Sequence, residues 1–109
     1  MATAAAKNEL AAQKTAGHTE AVTYRPGSGR VRQIDAMVDR EGVSEGRAVG
    51  RPRMRVTAVN DAIQGIDAMT LDTGTDEIDV AKMPGAAATA RRVQQVMGVD
   101  ADWVTVEVA

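Results

Sequence analysis

The sequence predicts a mainly β fold: a small β-barrel of about six strands behind an N-terminal helix, with a sandwich as the alternative. Two observations lead to this expectation. Short segments in which apolar and polar residues alternate recur along most of the chain, and turns containing glycine or proline separate them. The 109 residues make one domain. Residues 1–17 are expected to form a helix or arm, and residues 18–109 the barrel.

The N-terminal helix is predicted over residues 2–16, which are rich in Ala and other strong helix formers. Gly17 suits the position just after a helix end. The apolar face consists mostly of Ala with Leu10, and such a face is too small to hold a helix in place alone. We therefore expect the helix to lean on the barrel or on another subunit, with a frayed arm as the alternative.

The first strands form a predicted hairpin. Val22 and Tyr24 alternate before a turn at 27–29, and a second alternating run covers residues 30–39. Residues 40–52 contain three glycines and a proline among mixed charges, a composition that predicts a long exposed loop.

Two more strands follow this loop, at residues 53–59 and 76–82, where apolar residues again alternate. Residues 62–74 lie between them without clean periodicity. We expect this stretch to be an irregular connection.

The last part of the chain contains one ambiguous segment. Residues 86–97 have helix propensity, yet their second half also alternates as a strand would. The alternation is regular over 104–108, and a final strand of that kind needs a neighbour. We therefore predict a strand over 90–97, and a turn at 98–102.

Composition indicates a thin core. The apolar fraction is 44%, but it consists largely of 20 Ala, with two Leu, four Ile, fourteen Val and no Phe. So few large side chains suggest that part of the stability comes from neighbouring subunits, and oligomerisation is expected.

The composition argues against several classes of function. Without cysteine there is no disulfide or thiol nucleophile, and one histidine cannot form a His cluster, so we expect no metal and no cofactor. The chain has no signal-peptide pattern and no apolar run near the roughly 18 residues of a membrane span, so we expect an intracellular protein. Two aromatic residues and a net charge of −2 make nucleic acid a poor partner.

Charge is segregated along the sequence. Residues 22–57 hold eight Arg against four acids, a net +4, and residues 58–82 hold six acids against one Lys, a net −5. Two such patches suit head-to-tail contacts that close into rings; the alternative is that both blocks are solvated faces. The candidate interface residues are Arg51, Arg53 and Arg55, which alternate along one predicted strand, with Arg47, Asp72, Asp76, Glu77 and Asp79.

Residues 72–74 spell Asp-Thr-Gly, the signature around the catalytic aspartate of aspartic proteases. In retroviral-type enzymes two chains each supply one aspartate, and the pair shares a proton. Here the preceding residues 67–70 are not strongly apolar, and no Gly-rich flap follows. A plain turn, in which Asp72 and Thr73 bond the local backbone, is the favoured interpretation. A protease using Asp72 remains a remote alternative.

Other possible sites fit their patterns poorly. Counted from Asp72, the calcium-loop positions that require Gly and Glu hold Glu77 and Met83. The glycine-rich residues 26–30 lack the Gly-Lys-Ser/Thr of a phosphate loop and predict a hairpin turn. His18 is expected to be exposed beside the helix end, and Trp103 to be a core or interface anchor.

Phrases spread over residues 20–108 resemble, in order, the head–tail joining proteins of tailed bacteriophages. This family comprises head completion or stopper proteins, of the lambda joining protein type. The phrases are AVTYRP at 21–26, IDAMVDR at 34–40, RPRMRVTAVNDA at 51–62, GI at 65–66, LDTGTD at 71–76, RRV at 91–93 and DADWVTVEV at 100–108.

The resemblance implies a small β-barrel with an N-terminal helix, in which the stretch NDA…GI…LDTGTD links two strands and its Asp-Thr-Gly is structural. It also implies a non-enzymatic virion neck protein, assembled in the host cytoplasm, that forms a ring around the DNA channel. The expected partners are a portal or adaptor on the head side and a tail terminator or tail tube on the other, with DNA only as passing cargo. A tail terminator or other virion ring protein is the alternative.

Overall fold

The structure, a computed structural model, describes residues 3–27, 29–41, 53–81 and 86–108. Within these ranges the chain forms one helix and six strands, joined into a closed antiparallel barrel in the order β1-β2-β3-β6-β5-β4. The predicted mainly β barrel with an N-terminal helix is confirmed. The elements are α1 (Ala4–Thr15), β1 (Glu20–Arg25), β2 (Arg32–Glu41), β3 (Arg53–Val59), β4 (Glu77–Ala81), β5 (Ala88–Val99) and β6 (Trp103–Val108).

The helix α1, Ala4–Thr15, lies within the predicted range 2–16 and is shorter than it at both ends. The Thr3 hydroxyl accepts the N–H of Ala6 at 3.2 Å, which satisfies one of the donors left open at a helix start. The Thr3 N–H donates to the Asp102 carboxylate at 3.0 Å and ties this end to the β5–β6 turn. Gly17 has a φ of +80°, a conformation that ends helices at low cost only for glycine.

The apolar face of α1 leans on the barrel. Ala6 and Leu10 are buried against Val59, and Trp103 packs beside them. An ion pair of 2.9 Å joins Lys7 to the largely buried Asp61 next to this contact. The packing identifies Trp103 as a half-buried anchor for the helix, consistent with the prediction of a core or interface role.

The barrel interior is filled mainly by Val, Ile and Ala from alternate positions. On β6, every second residue points inward, as the alternation over 104–108 predicts. Each fully buried Val stabilises the fold by about 2 kcal/mol relative to exposure. The interior residues are Val22, Tyr24, Ile34, Ala36, Met54, Val56, Ala58, Ile66, Ile78, Val80, Val93, Val104, Val106 and Val108.

Residues 60–76 connect β3 to β4 and close one end of the barrel. Ile66 is fully buried in the core, and Ala68 and Leu71 pack against it. Gly65 is required at this bend, because a Cβ there would lie 2.0 Å from the carbonyl oxygen of Val59. The predicted lack of periodicity therefore reflects an irregular cap with its own apolar contacts.

The strand β2 continues beyond the predicted loop boundary. Residue 40 was expected to open the loop, but Arg40 pairs with Met54, and Glu41 with Arg53, so both belong to the sheet. The Arg40 guanidinium also donates to the Ala81 carbonyl at 3.1 Å. The rest of that predicted loop, 42–52, lies outside the described residues.

The ambiguous segment near the C-terminus is a strand, and it is longer than the predicted 90–97. Ala88 pairs with Ala81 of β4, and Val99 pairs with Val104 of β6. Gly98, which was expected to start a turn, is paired with Thr105. The partner strands on either side explain both extensions.

Candidate assembly surfaces

Arg55 is the one predicted basic interface residue whose side chain the structure describes. It lies on β3 opposite Asp39 of β2 and Glu107 of β6. Its Nε is 4.0 Å from the Glu107 carboxylate, and 35% of its side chain is exposed. Two acids therefore flank it in the sheet. The other three basic candidates have no described side chain: Arg47 and Arg51 lie outside the described residues, and Arg53 is described in its backbone alone.

Two of the predicted acids lie on β4 and have basic neighbours. The Asp79 carboxylate accepts from Nε and Nη2 of Arg25, at 3.0 and 2.9 Å. This bidentate bond raises the pKa of the Arg25 guanidinium. Glu77 is half-buried and lies between Arg25 of β1 and Arg92 of β5. Both acids thus face Arg side chains contributed by adjacent strands.

The described candidates Arg55 on β3 and Asp79 on β4 lie on opposite walls of the barrel, because these two strands are three apart in a ring of six. The basic block as a whole is not opposite the acidic block, since it also includes β1, which pairs with β4. Opposite walls suit a head-to-tail contact. Among the described residues, however, each wall mixes charges, since strands from distant parts of the sequence bring partners together. Basic and acidic residues that are separated along the sequence are therefore neighbours in the folded barrel.

Asp76, a predicted interface residue, lies inside the protein. It is 1% exposed, and its carboxylate accepts the Tyr24 hydroxyl at 2.5 Å and the N–H groups of Gly27 and Asp72 at 2.8 and 3.1 Å. Its carboxylate thereby holds the β1–β2 turn against the cap. Asp76 is thus a structural acceptor and is removed from the set of surface candidates.

Tyr24 and Arg32 extend this buried polar cluster. The Arg32 guanidinium lies 4.8 Å from the centre of the Tyr24 ring and donates to the Gly65 carbonyl at 2.7 Å. Burial, and then the hydrogen bond to Asp76, raises the pKa of the Tyr24 phenol. One sequence signal pointed this way: Tyr24 alternates inward with Val22, and a buried tyrosine hydroxyl needs a partner.

The Asp-Thr-Gly tripeptide forms a turn, as the favoured interpretation predicts. The Asp72 carbonyl accepts the N–H groups of Thr75 and Asp76 at 3.3 and 3.0 Å, and Gly74 has a φ of +92°. Local bonding thus uses the main chain of Asp72 and the carboxylate of Asp76, rather than the predicted side chains of Asp72 and Thr73. The Asp72 side chain is exposed.

One segment of β5 stands out, and the sequence did not indicate it. Its register with β4 ends at the pair Glu77–Arg92, and the last bonds on that side join Val93 to Gly74 and Asp76. From residue 94 to residue 99, β5 pairs within the described chain with β6 alone. We call residues 94–99 the β5 edge.

The β5 edge exposes apolar side chains. Val96 is 37% exposed, Met97 40% and Val99 53%. Three other large apolar residues are exposed, Val31, Ile63 and Met69, but they belong to turns and to the cap. The sequence predicted a strand over 90–97 and its pairing with β6. It did not indicate that residues 94–99 extend past β4, because that depends on β4 beginning at Glu77, opposite Arg92.

The remaining candidates are simple surface features. His18 is exposed at the end of α1, as predicted, with its Nδ1 2.6 Å from the Gln13 amide oxygen. No group of His, Asp and Glu side chains in the described ranges is arranged to hold a metal ion. Across those same ranges no helix has both the length and the apolar character that crossing a membrane requires.

No family model, no curated protein and no solved structure matches this chain.

Proposed function

We propose that this chain is a structural protein of the phage neck that completes the filled head and joins it to the tail as a ring around the DNA channel. Its partners are further copies of itself, a portal or adaptor protein on the head side, and a tail terminator or tail tube protein on the tail side. The basis is the resemblance over residues 20–108, which leads one to expect the helix and small barrel described above.

One observation supports this proposal most directly. The resemblance implies that the stretch containing Asn60, Gly65 and the Asp-Thr-Gly turn links two barrel strands as a structural element. In this chain, residues 60–76 link β3 to β4, and Ile66 fills the end of the barrel. The exposed turn at Asp72 differs from the enclosed pair of aspartates that a retroviral-type protease needs.

The mechanism is association rather than catalysis. Side chains fill the barrel interior, so the outer walls, the turns and α1 are the surfaces that contact partners. Arg55 on the β3 wall and Asp79 on the β4 wall are positioned for neighbours on opposite sides. A ring repeats each subunit contact, so contacts that are weak singly become sufficient together.

The direct test uses purified chain and filled, tailless phage heads, with native mass spectrometry or mass photometry as the readout. We expect a ring of this chain on the heads, and heads that then accept tails. A chain that ignores heads but binds the end of isolated tails would replace the proposal with a tail-terminator role. Binding to neither, together with peptide cleavage lost in Asp72→Asn, would support the protease alternative.

A deletion sharpens this test. Removing residues 42–50 is expected to leave the barrel folded and to abolish head–tail joining, because the sequence predicts a long exposed loop there. Circular dichroism checks the fold, and infectious particle yield checks joining. The control is His18→Gln, which changes an exposed residue outside the candidate interface set and should preserve infectivity. Normal infectious particles from the deletion would remove this loop from the joining mechanism.

A further inference from the structure

We propose that the β5 edge is a docking surface for a second copy of this chain, and that the two edges pair as antiparallel strands about a two-fold axis. The inference goes beyond the neck role and does not depend on it. It concerns the free subunit and rests on three features of the β5 edge: an open side, exposed apolar side chains, and opposite charges at its two ends.

The first feature is the open backbone. Residues 94–99 pair with β6 on one side, and in the described part of the chain the bonds to the other side stop at Val93. The segment has the sequence QQVMGV, with no charged residue and no proline. Proteins commonly use such residues to keep exposed strand edges from pairing. The β5 edge lacks charge and proline, and its register shifts leave only a short segment to which another strand can add.

The second feature is the apolar surface that pairing would cover. Val96, Met97 and Val99 together form a short apolar segment in which each side chain is more than a third exposed. Residues opposite each other in an antiparallel pair place their side chains on the same face. With the axis between residues 96 and 97, Val96 of each copy lies opposite Met97 of the other, and Val99 lies opposite the polar Gln94. The apolar contact is therefore concentrated at the centre of the pair.

The third feature is charge, which selects the occupant and its direction. Arg91 and Arg92 precede the β5 edge, and Asp100 and Asp102 follow it. Arg91 also donates to the Val80 carbonyl, and Arg92 lies opposite Glu77 of β4, so a partner's carboxylates would share these guanidinium groups with contacts inside the subunit. An antiparallel pair centred on residues 96–97 brings the basic end of each copy beside the acidic end of the other. A parallel pair would place like charges together, which is unfavourable.

The acidic end is held in place by its own hydrogen bonds. One Asp100 carboxylate oxygen accepts the N–H groups of Asp102 and Trp103, both at 2.8 Å. The Asp102 carboxylate accepts the Thr3 N–H. Both carboxylates are therefore positioned before a partner arrives, which lowers the cost of ordering them on binding.

Irregularities in β5 limit the length of the segment that can pair with another copy. Register shifts against β6 occur between Val93 and Gln95 and between Val96 and Gly98. Bulges of this kind bend a strand and increase its twist, so only a short segment can pair. A two-fold contact also uses the same edge of both copies, which closes the assembly at a dimer.

The first experiment measures mass in solution by light scattering or sedimentation over a range of protein concentrations. We expect the wild-type chain to reach twice the 11.5 kDa of one copy. Met97→Lys should weaken the dimer at least about tenfold, because two like charges would meet near the axis. The matched control is Thr89→Lys, an exposed position on the same strand near its other end, which should leave the dimer unchanged.

The second experiment uses the absence of cysteine from the chain. Met97→Cys should form a disulfide-linked dimer under mild oxidation, because the two copies of residue 97 lie close to the axis. After treatment with the same oxidant, Thr89→Cys should run as a monomer in non-reducing electrophoresis, whereas Met97→Cys should run as a dimer. Unfolding curves of each variant establish that it remains folded.

Two results would overturn the proposal: a wild-type chain that stays monomeric at every concentration, or a dimer that Met97→Lys leaves intact. Failure here and failure of the neck role are distinguishable. A folded, monomeric Met97→Lys variant that still binds phage heads would support the dimer contact and the neck function as separate properties.

Discussion

The strands β5 and β6 are neighbours with similar composition and opposite environments. Val104, Val106 and Val108 of β6 are at most 1% exposed, whereas Val93 is the buried residue of β5. The difference lies in the neighbours: β6 is paired along its length between β3 and β5, whereas the later half of β5 pairs with β6 alone among the residues that the structure describes. In this barrel, a residue's burial depends on whether its strand has a second partner.

The largest expected effect comes from testing this comparison directly with one substitution on each strand. Val106→Asp places an unpaired carboxylate in the core and should lower the free energy of unfolding by about 4 kcal/mol, enough to prevent folding of a marginal domain. Val99→Asp, on the exposed β5 edge, should change it by less than about 0.5 kcal/mol. Urea unfolding measures both, and equal losses would contradict the comparison.

A second pair of substitutions compares a buried aspartate with an exposed one. Asp76→Ala leaves the Tyr24 hydroxyl and two backbone N–H groups without their acceptor, so we expect a loss of about 3 kcal/mol in the free energy of unfolding. The exposed Asp72→Ala, four residues earlier, should cost much less. If chemical denaturation gave similar midpoints for the two variants, Asp76 would not be holding the cap to the β1–β2 turn.

The third and smallest effect concerns Asp61 and acid. The N–H of Gln64, then the Lys7 ammonium, and then the N–H of Ile63 lower the pKa of Asp61 to about 2. Because its pKa is lower in the folded chain, the carboxylate stabilises the fold above pH about 4, and this stability is lost as the pH falls through about 2. The loss amounts to about 2 kcal/mol.

Asp61→Asn isolates this contribution. The amide oxygen can still accept the backbone N–H groups but does not titrate, so the variant should be less stable than wild type at neutral pH. The two unfolding free energies should approach each other as the pH falls from about 4 and converge below about pH 2. Parallel pH profiles for the two proteins would assign the acid sensitivity to other carboxylates.

The sequence alone predicts the elements that depend on a local pattern of residues. Alternation over 104–108 predicts β6 because every second residue meets the interior, and Ala-rich residues before Gly17 predict α1. The ambiguous segment 86–97 could be assigned to a strand because β6 needed a partner. Boundaries at Arg40 and Gly98 were missed, since cross-strand pairing extends both strands through residues with turn propensity.

The candidate site was harder to predict, because its properties depend on residues that are distant in the sequence. Asp76 and Glu77 are adjacent, yet one bonds Tyr24 inside the protein and the other lies between Arg side chains on the sheet. No local pattern separates them. Similarly, Val96 and Val106 both occur in alternating segments of the sequence. Val96 is exposed because β4 begins at Glu77 and does not extend alongside residue 96.

The packing of α1 has an optical consequence. Trp103 is the single tryptophan of the chain and lies against the helix, whereas Tyr24, the single tyrosine, is enclosed by the barrel. Release of α1 would expose the indole to water and shift its fluorescence to longer wavelength while the tyrosine signal stays constant. The natural chain thus carries two separate reporters, one for the docking of its helix and one for the integrity of its barrel.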